Sequence, residues 1–215
     1  MYMNKSSEMI KMWDNRYANK DYAYGIAPNN FFKSAIEEYK IDGKILLPAE
    51  GEGRNAVYAA KKGLNVKAFD ISIEGKRKAL QLATKENVTI KYEVGDFFDL
   101  DLINEKYDSA ALIFAHFPNQ ILSKYHNKVA DLIKEGGIII LEGFSTGHLP
   151  LRMKNPNIGG PNKIEMLFTE KSIKDDFSDF EIIKLEEIEI ELKEGNFHNG
   201  KGKVIRFIGK KNYCL

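Results

Sequence analysis

Lys44-Ile45-Leu46-Leu47-Pro48-Ala49-Glu50-Gly51-Glu52-Gly53-Arg54-Asn55 is the stretch on which the fold turns. A short apolar run enters a turn with two glycines and two carboxylates. The pattern after it is helical over Asn55–Lys62, with Ala56, Ala59 and Ala60 on one side and Gly63 as a stop. Four more apolar runs follow at Val66–Asp70, Ile90–Val94, Ser109–Phe114 and Ile138–Glu142. Helical patterns separate them: one is capped by Ser72 and buries Ala79, Leu82 and Ala83, and another spans Asn119–Lys134 and stops at Gly136-Gly137. This alternation predicts a parallel sheet covered on both faces.

After Phe144 the pattern changes. Ser145–Lys163 holds three of the six prolines, is long for a connection without structure, and reads as a lid loop. A helix is expected around Thr169–Phe177. Over Leu185–Leu192, Ile188, Ile190 and Leu192 alternate with Glu187, Glu189 and Glu191, which is a strand whose wet face also takes in Glu186. A last strand, Lys203–Gly209, follows a turn at Asn199-Gly200, giving an antiparallel hairpin at one edge. The expectation is an α/β, Rossmann-like seven-stranded sheet, mostly parallel, with that C-terminal antiparallel hairpin and helices on both faces. One domain over 1–215 is expected, with 1–40 as an N-terminal cover and 145–163 as the lid.

The 215 residues suit one domain. Lys plus Arg number 32 against 31 Asp plus Glu, a net charge of +1, so the basic footprint of a nucleic-acid binder is missing. Cys214 is the one cysteine, which leaves no internal disulfide and no Cys-based metal site. No metal is expected. No run approaches the roughly 18 to 20 apolar residues of a membrane span, and the polar N-terminus is no signal peptide. A cytoplasmic monomer or small homo-oligomer is expected, with no nucleic-acid or membrane partner.

The glycine turn lies at the carboxyl edge of the sheet, where open α/β sheets bind ligands. Gly-x-Gly-x-x-Gly is not met, because Ala56 stands third after Gly53. Glu50 and Glu52 also suit a pyrophosphate poorly, which disfavours a nicotinamide oxidoreductase. A nucleotide bearing an amino acid and positive charge fits better, and S-adenosylmethionine is one. Asp70, ending the second strand, is placed to accept both ribose hydroxyls or, more simply, to cap a helix. Asp96, with Phe97 behind it, is placed to bond and stack on adenine or to form a turn after Gly95. The ordered set Gly51, Gly53, Asp70, Asp96 favours the ligand reading.

On these residues the chain resembles the class I S-adenosylmethionine-dependent methyltransferases across about Lys44 to Lys211, and more closely the tellurite-resistance and thiopurine type. Pro48-Ala49-Glu50-Gly51-Glu52-Gly53-Arg54-Asn55 is similar to that group's Glu-Gly-Glu-Gly-Arg-Asn first motif. Trp13-Asp14-Asn15-Arg16-Tyr17 is similar to its Trp-x-x-Arg-aromatic signature, continued by Tyr24-Gly25 and Pro28-Asn29, and Glu194-Gly195 with His198-Asn199-Gly200 matches related chains. The resemblance implies a cofactor site drawn from Trp13, Arg16, Tyr24, Glu50, Gly51, Gly53, Arg54 and Asn55. Asp70, Ile71, Asp96, Phe97 and Phe114 complete it. Leu47 and Ala49 depart from the common motif at its acid and first glycine. Glu50 and Glu52 are expected to compensate by holding the methionine ammonium through backbone and water, Glu50 lying nearer.

The implied reaction is in-line methyl transfer to a small-molecule acceptor, a thiol or a chalcogen oxyanion such as tellurite. A soft anion needs no base. For an acceptor that must lose a proton, His116 in Phe114-Ala115-His116-Phe117-Pro118 is the candidate; otherwise it packs over the adenosyl group or caps the next helix. Glu142 orients the substrate or bonds backbone, and Arg152 binds an anionic acceptor or is solvated. Tyr17 and Tyr24 are candidates for the pocket wall, and His198 is expected to make a structural hydrogen bond. A second reading is a module that senses S-adenosylmethionine without turnover.

Overall fold

The computed structural model describes residues 2–102 and 105–213; Cys214, with the reading attached to it, lies outside the described residues. Its strands are β1 (Lys44–Pro48), β2 (Asn65–Asp70), β3 (Lys91–Val94), β4 (Tyr107–Ile113), β5 (Ile133–Phe144), β6 (Phe180–Glu194) and β7 (His198–Lys211). Its helices are α1 (Tyr2–Tyr17), α2 (Asn30–Glu38), α3 (Arg54–Lys61), α4 (Ile73–Lys85), α5 (Asn119–Leu132), α6 (Leu149–Lys154) and α7 (Glu170–Asp176).

The strands form one seven-stranded sheet in the order β3-β2-β1-β4-β5-β7-β6. β1 pairs in parallel with both β2 and β4, so the chain reverses its direction of winding beside β1 and opens a crevice there. β7 lies antiparallel between β5 and β6. Period-two alternation splits the apolar strands between two cores. Ile45 and Leu47 pack with α2, α3 and α4, whereas Leu46 packs on the face of α5 and α7. Ala111 and Ile140 likewise oppose Ala110, Leu112, Ile139 and Leu141. Ser72 Oγ caps α4 by accepting from Gly75 N at 3.0 Å. Thr169 and Ser172 form a capping box on α7.

Three expectations are corrected. α5 ends at Leu132, and Gly136-Gly137 lies inside β5, not beyond a helix. Ile133 already pairs with Tyr107, and the register shifts between Tyr107 and Ser109. A β-carbon on Gly137 would stand 2.8 Å from Asp108 O, so glycine permits the close approach of β4 and β5 at this bulge. The hairpin turns after Glu194, not at Asn199-Gly200, which pair with Lys193 and Leu192 within β7. Gly195 takes φ +59 there, and Asn196 N bonds Ala23 O at 2.9 Å. Ser145–Lys163 is not structureless: it contains α6 between two short 3-10 turns and buries Ile158. Of the two N-terminal helices, α1 supplies residues to the cavity described below, and α2 packs in the core through Phe31, Phe32, Ala35 and Ile36. Among the described residues no helix is long and apolar enough to cross a membrane.

Candidate functional site

A cavity of about 400 Å³ opens at the carboxyl ends of β1, β2, β3 and β4. Its floor is the turn after β1, in which Ala49, Gly51 and Gly53 take φ of +51, +61 and +86. A β-carbon on Gly51 would stand 2.7 Å from Tyr17 Oη, and one on Gly53 would stand 2.5 Å from Ala79 Cβ. Both glycines therefore allow protein elements to close in on the turn.

Glu50 Oε1 accepts from the backbone N–H of Asn55 at 2.9 Å and of Ala56 at 2.7 Å. This carboxylate occupies the first turn of α3, and burial pushes its pKa up to about 7. Glu52 faces Lys78 Nζ with Oε1 and Ala23 N with Oε2, both at 2.7 Å. Asp70 accepts from Gly51 N and Ser72 N, each at 3.0 Å, and burial raises it to about 6. It holds the turn to the end of β2 while bordering the cavity.

Asp96 Oδ1 accepts from Phe98 N at 2.9 Å, a turn closed by its own side chain. Phe97 is 2% exposed and stacks on Phe69 with centroids 5.0 Å apart, in the core, while also bordering the cavity. Phe98, 41% exposed, borders it too and is the more exposed of the two rings. The doublet Phe97-Phe98 was the available signal, and the direction of each ring was not.

The cover comes from the N-terminal segment and the hairpin. Trp13 stacks on Tyr17 at 5.4 Å, and the Arg16 guanidinium lies 4.8 Å from the Trp13 ring and 4.7 Å from that of Phe197. Arg16 Nη1 donates to Tyr24 Oη at 2.8 Å. Arg54 donates to Tyr24 O at 3.3 Å and pairs with Glu194 Oε2 at 3.0 Å. Asn55 Oδ1 accepts from Asn29 N at 2.9 Å. Ile71 and Phe114 border the cavity directly, Phe114 with φ +53. Met9, Met12 and Met166 also line it, soft apolar surface that nothing in their sequence spacing singles out.

Two candidates for chemistry are placed otherwise than expected. His116 donates from Nδ1 to Met166 O at 2.7 Å and accepts at Nε2 from Phe144 N at 2.9 Å. With both nitrogens taken, and burial pulling its pKa down to about 3, it is a brace between chain segments and holds no free lone pair for a substrate proton. Its two hydrogen bonds go to Met166 and Phe144, not to α5, and its ring borders the cavity. Glu142 is 1% exposed and accepts from Asn29 Nδ2 at 2.7 Å and Arg206 Nε at 2.6 Å. It faces α2, outside the cavity lining.

Arg152 does border the cavity. Its Nε donates to Gly160 O at 2.7 Å, and it has no carboxylate partner among the described residues. His198, expected to be structural, also lines the cavity, with its ring 4.5 Å from Tyr24 and 4.6 Å from Phe114. Glu187, Glu189 and Glu191 are exposed as expected, Glu187 pairing with Lys203 at 3.1 Å, whereas Glu186 is half-buried. No cluster of three or more metal-ligating side chains occurs among the described residues.

Residues 45–137, somewhat under half the chain, match the family described as a methyltransferase domain. No curated protein matches in sequence. Among solved structures, the chain is similar to one from work on the conversion of a disulfide bond into a thioacetal group during echinomycin biosynthesis. That likeness has 17% identity and a TM-score of 0.77, over 96% of this chain and 94% of that one. It is similar to TehB from Haemophilus influenzae, at 19% identity and a TM-score of 0.68, over 94% and 67%. It is also similar to magnesium protoporphyrin IX methyltransferase (ChlM) from Synechocystis with bound SAH, at 16% and 0.65, over 84% and 80%. At these identities the likeness is one of fold, and the fold is the Rossmann-like one with a seven-stranded mixed sheet.

Proposed function

We propose that the chain is an S-adenosylmethionine-dependent methyltransferase acting on a small molecule. The observation that carries this reading is Glu50. Its carboxylate fills the first turn of α3, where a dinucleotide would place its pyrophosphate, so the site suits a ligand without phosphate. The match of residues 45–137 to a methyltransferase domain supports the same reading.

The residues present fit such a ligand. Asp70 and Asp96 are carboxylates on the cavity floor, Phe98 presents a ring beside Asp96, and Trp13 with Arg16 covers the opposite side. Asp70 would hold the ribose, Asp96 and Phe98 the adenine, and the Gly51 turn the amino-acid end. The bound donor would supply an electrophilic methyl group on a sulfonium. The chain's part is to align the acceptor and keep water out.

The finer reading is a thiol or chalcogen-oxyanion acceptor such as tellurite, supported by the first-motif resemblance. Arg152, at the cavity edge without a carboxylate partner, favours an acceptor carrying negative charge elsewhere in the molecule. Calorimetry with S-adenosylmethionine, S-adenosylhomocysteine and NADH tests the cofactor, and release of S-adenosylhomocysteine over panels of thiols, phenols, amines and oxyanions tests turnover. Tight binding with no turnover across the panels would favour a sensor. NADH binding in place of the other two would defeat the proposal.

A further inference from the structure

The chain has four histidines, and their ring nitrogens are spent differently. His116 uses both on backbone, as described. His148 uses Nε2 on Gly159 O at 3.1 Å and Nδ1 on Lys203 N at 3.3 Å. His126 lies in the core with Nδ1 on Asp176 Oδ2 at 2.7 Å and an enclosed, unpartnered Nε2. His198 donates from Nδ1 to Glu194 Oε2 at 2.9 Å, and its Nε2 has no partner among the described residues while the ring borders the cavity.

Glu194 is itself held. Arg54 Nη2 bonds Oε2 at 3.0 Å and Asn29 Nδ2 bonds Oε1 at 3.3 Å. A carboxylate on Nδ1–H fixes the tautomer that leaves the Nε2 lone pair free, and it stabilises the imidazolium that forms when Nε2 takes a proton. Gly159 packs close to that edge, where a β-carbon would stand 2.6 Å from Cδ2 and 3.1 Å from Nε2, and His198 as a whole is 4% exposed. His198 makes the structural hydrogen bond expected of it and keeps one nitrogen unspent, whereas His116 spends both.

We propose that His198, oriented by Glu194, takes the proton from an acceptor whose nucleophilic atom is protonated at neutral pH, a thiol or hydroxyl group. The proposal rests on the methyl-transfer reading. The X–H bond breaks with its electron pair left on X, and the proton becomes the Nε2–H. The pair on X makes the new bond to the methyl carbon, and the pair of the broken carbon–sulfur bond stays on sulfur. The proton passes to solvent as product leaves.

The charged and titratable groups around His198 fit this role. Glu194 lies on β6, Arg54 on α3, Arg16 and Tyr24 on the N-terminal segment, His116 in the cavity lining, and His148 buried against Phe144. Burial pulls the His198 pKa below the ordinary imidazole value, with Glu194 opposing. Against the effect of burial, His198 and Arg54 hold Glu194 down to about 2, so it is ionised whenever His198 is neutral.

Diethyl pyrocarbonate acylates accessible neutral imidazole nitrogens, and peptide mapping by mass spectrometry reads each site without any acceptor. His198 is expected to react at least about tenfold faster than His116, His126 or His148, whose nitrogens are bonded or enclosed. Glu194→Gln should slow that reaction. On the acceptor panel, His198→Gln should lower kcat for phenols about 100-fold or more, the usual contribution of a general base, while sparing an acceptor already ionised, such as thiophenolate. It should also abolish the acidic limb of the phenol kcat profile. Reactivity of His198 no greater than that of the others, or equal losses on phenol and thiophenolate, would overturn the proposal. Binding of S-adenosylhomocysteine, measured separately, distinguishes failure of the cofactor reading from failure of the base.

Discussion

Lys78 Nζ stands 2.7 Å from Glu52 Oε1, with both side chains 4% exposed. The pair joins α4 to the turn after β1, and Glu52 Oε2 extends the link to Ala23 N at 2.7 Å. Glu52, which also borders the cavity, thereby fastens the N-terminal segment to the sheet. Removing one partner strands a buried charge. Lys78→Met should cost about 3–5 kcal/mol in urea unfolding, and adding Glu52→Gln should recover much of it. A loss below about 1 kcal/mol would mean the pair is solvated.

Gly53→Ala meets two obstacles at one position. Its φ is +86, and the new β-carbon would lie 2.5 Å from Ala79 Cβ. Left-handed strain costs about 1–2 kcal/mol and overpacking about 1–3 kcal/mol more. Because the β-carbon would also lie 2.7 Å from Ala79 Cα, Ala79→Gly in the same chain should restore little of the loss, as thermal melts of the single and double variants would show.

Glu50 makes stability depend on pH in a direction that can be isolated. Its folded pKa of about 7 lies above the ordinary 4.5, so its contribution is fully present below 4.5 and is lost as pH rises through 7. Asp70, raised to about 6 from 3.8, acts with the same sign. His116, lowered to about 3 from 6.5, acts oppositely, its contribution being lost as pH falls below 6.5. Glu50→Gln keeps a carbonyl oxygen for Asn55 N and Ala56 N but does not titrate. Between mildly acidic and mildly alkaline pH, the wild type should lose about 2 kcal/mol relative to this variant in urea unfolding. Parallel profiles would contradict the assignment.

Neighbouring aromatics should fail in different ways. Phe97→Ala removes a core ring stacked on Phe69 and 4.6 Å from Tyr125, and should cost about 3–5 kcal/mol of stability. Phe98→Ala should leave the melt nearly unchanged and weaken S-adenosylhomocysteine about three- to tenfold by calorimetry, the worth of one stacking contact. The opposite pattern would return the adenine-facing role to Phe97.

Local order was legible wherever hydrogen bonding and apolar period act within a few residues. Ser72 as a cap, Gly63 as a stop and the glutamate face of β6 are all of this kind. So was the ligand edge at the glycine turn, whereas the strand order that opens the crevice beside β1 came from the structure. The hairpin turn was misplaced because Asn199-Gly200 and Glu194-Gly195 are both good turn formers. Contact with Ala23, remote in sequence, distinguishes the second.

The site divides in the same way. The sequence by itself determined the type of fold, the carboxyl edge where a ligand would lie, and the set of carboxylates, aromatics and histidines gathered there. Only the tertiary structure decided how each polar atom is used. A side chain's capacity for chemistry depends on the lone pairs left after its neighbours have bonded, and those neighbours come from distant segments. Met166 and Phe144 take both nitrogens of His116, Asn29 and Arg206 take Glu142, and Glu194 takes one nitrogen of His198, a residue that borders the cavity, and leaves the other without a partner among the described residues.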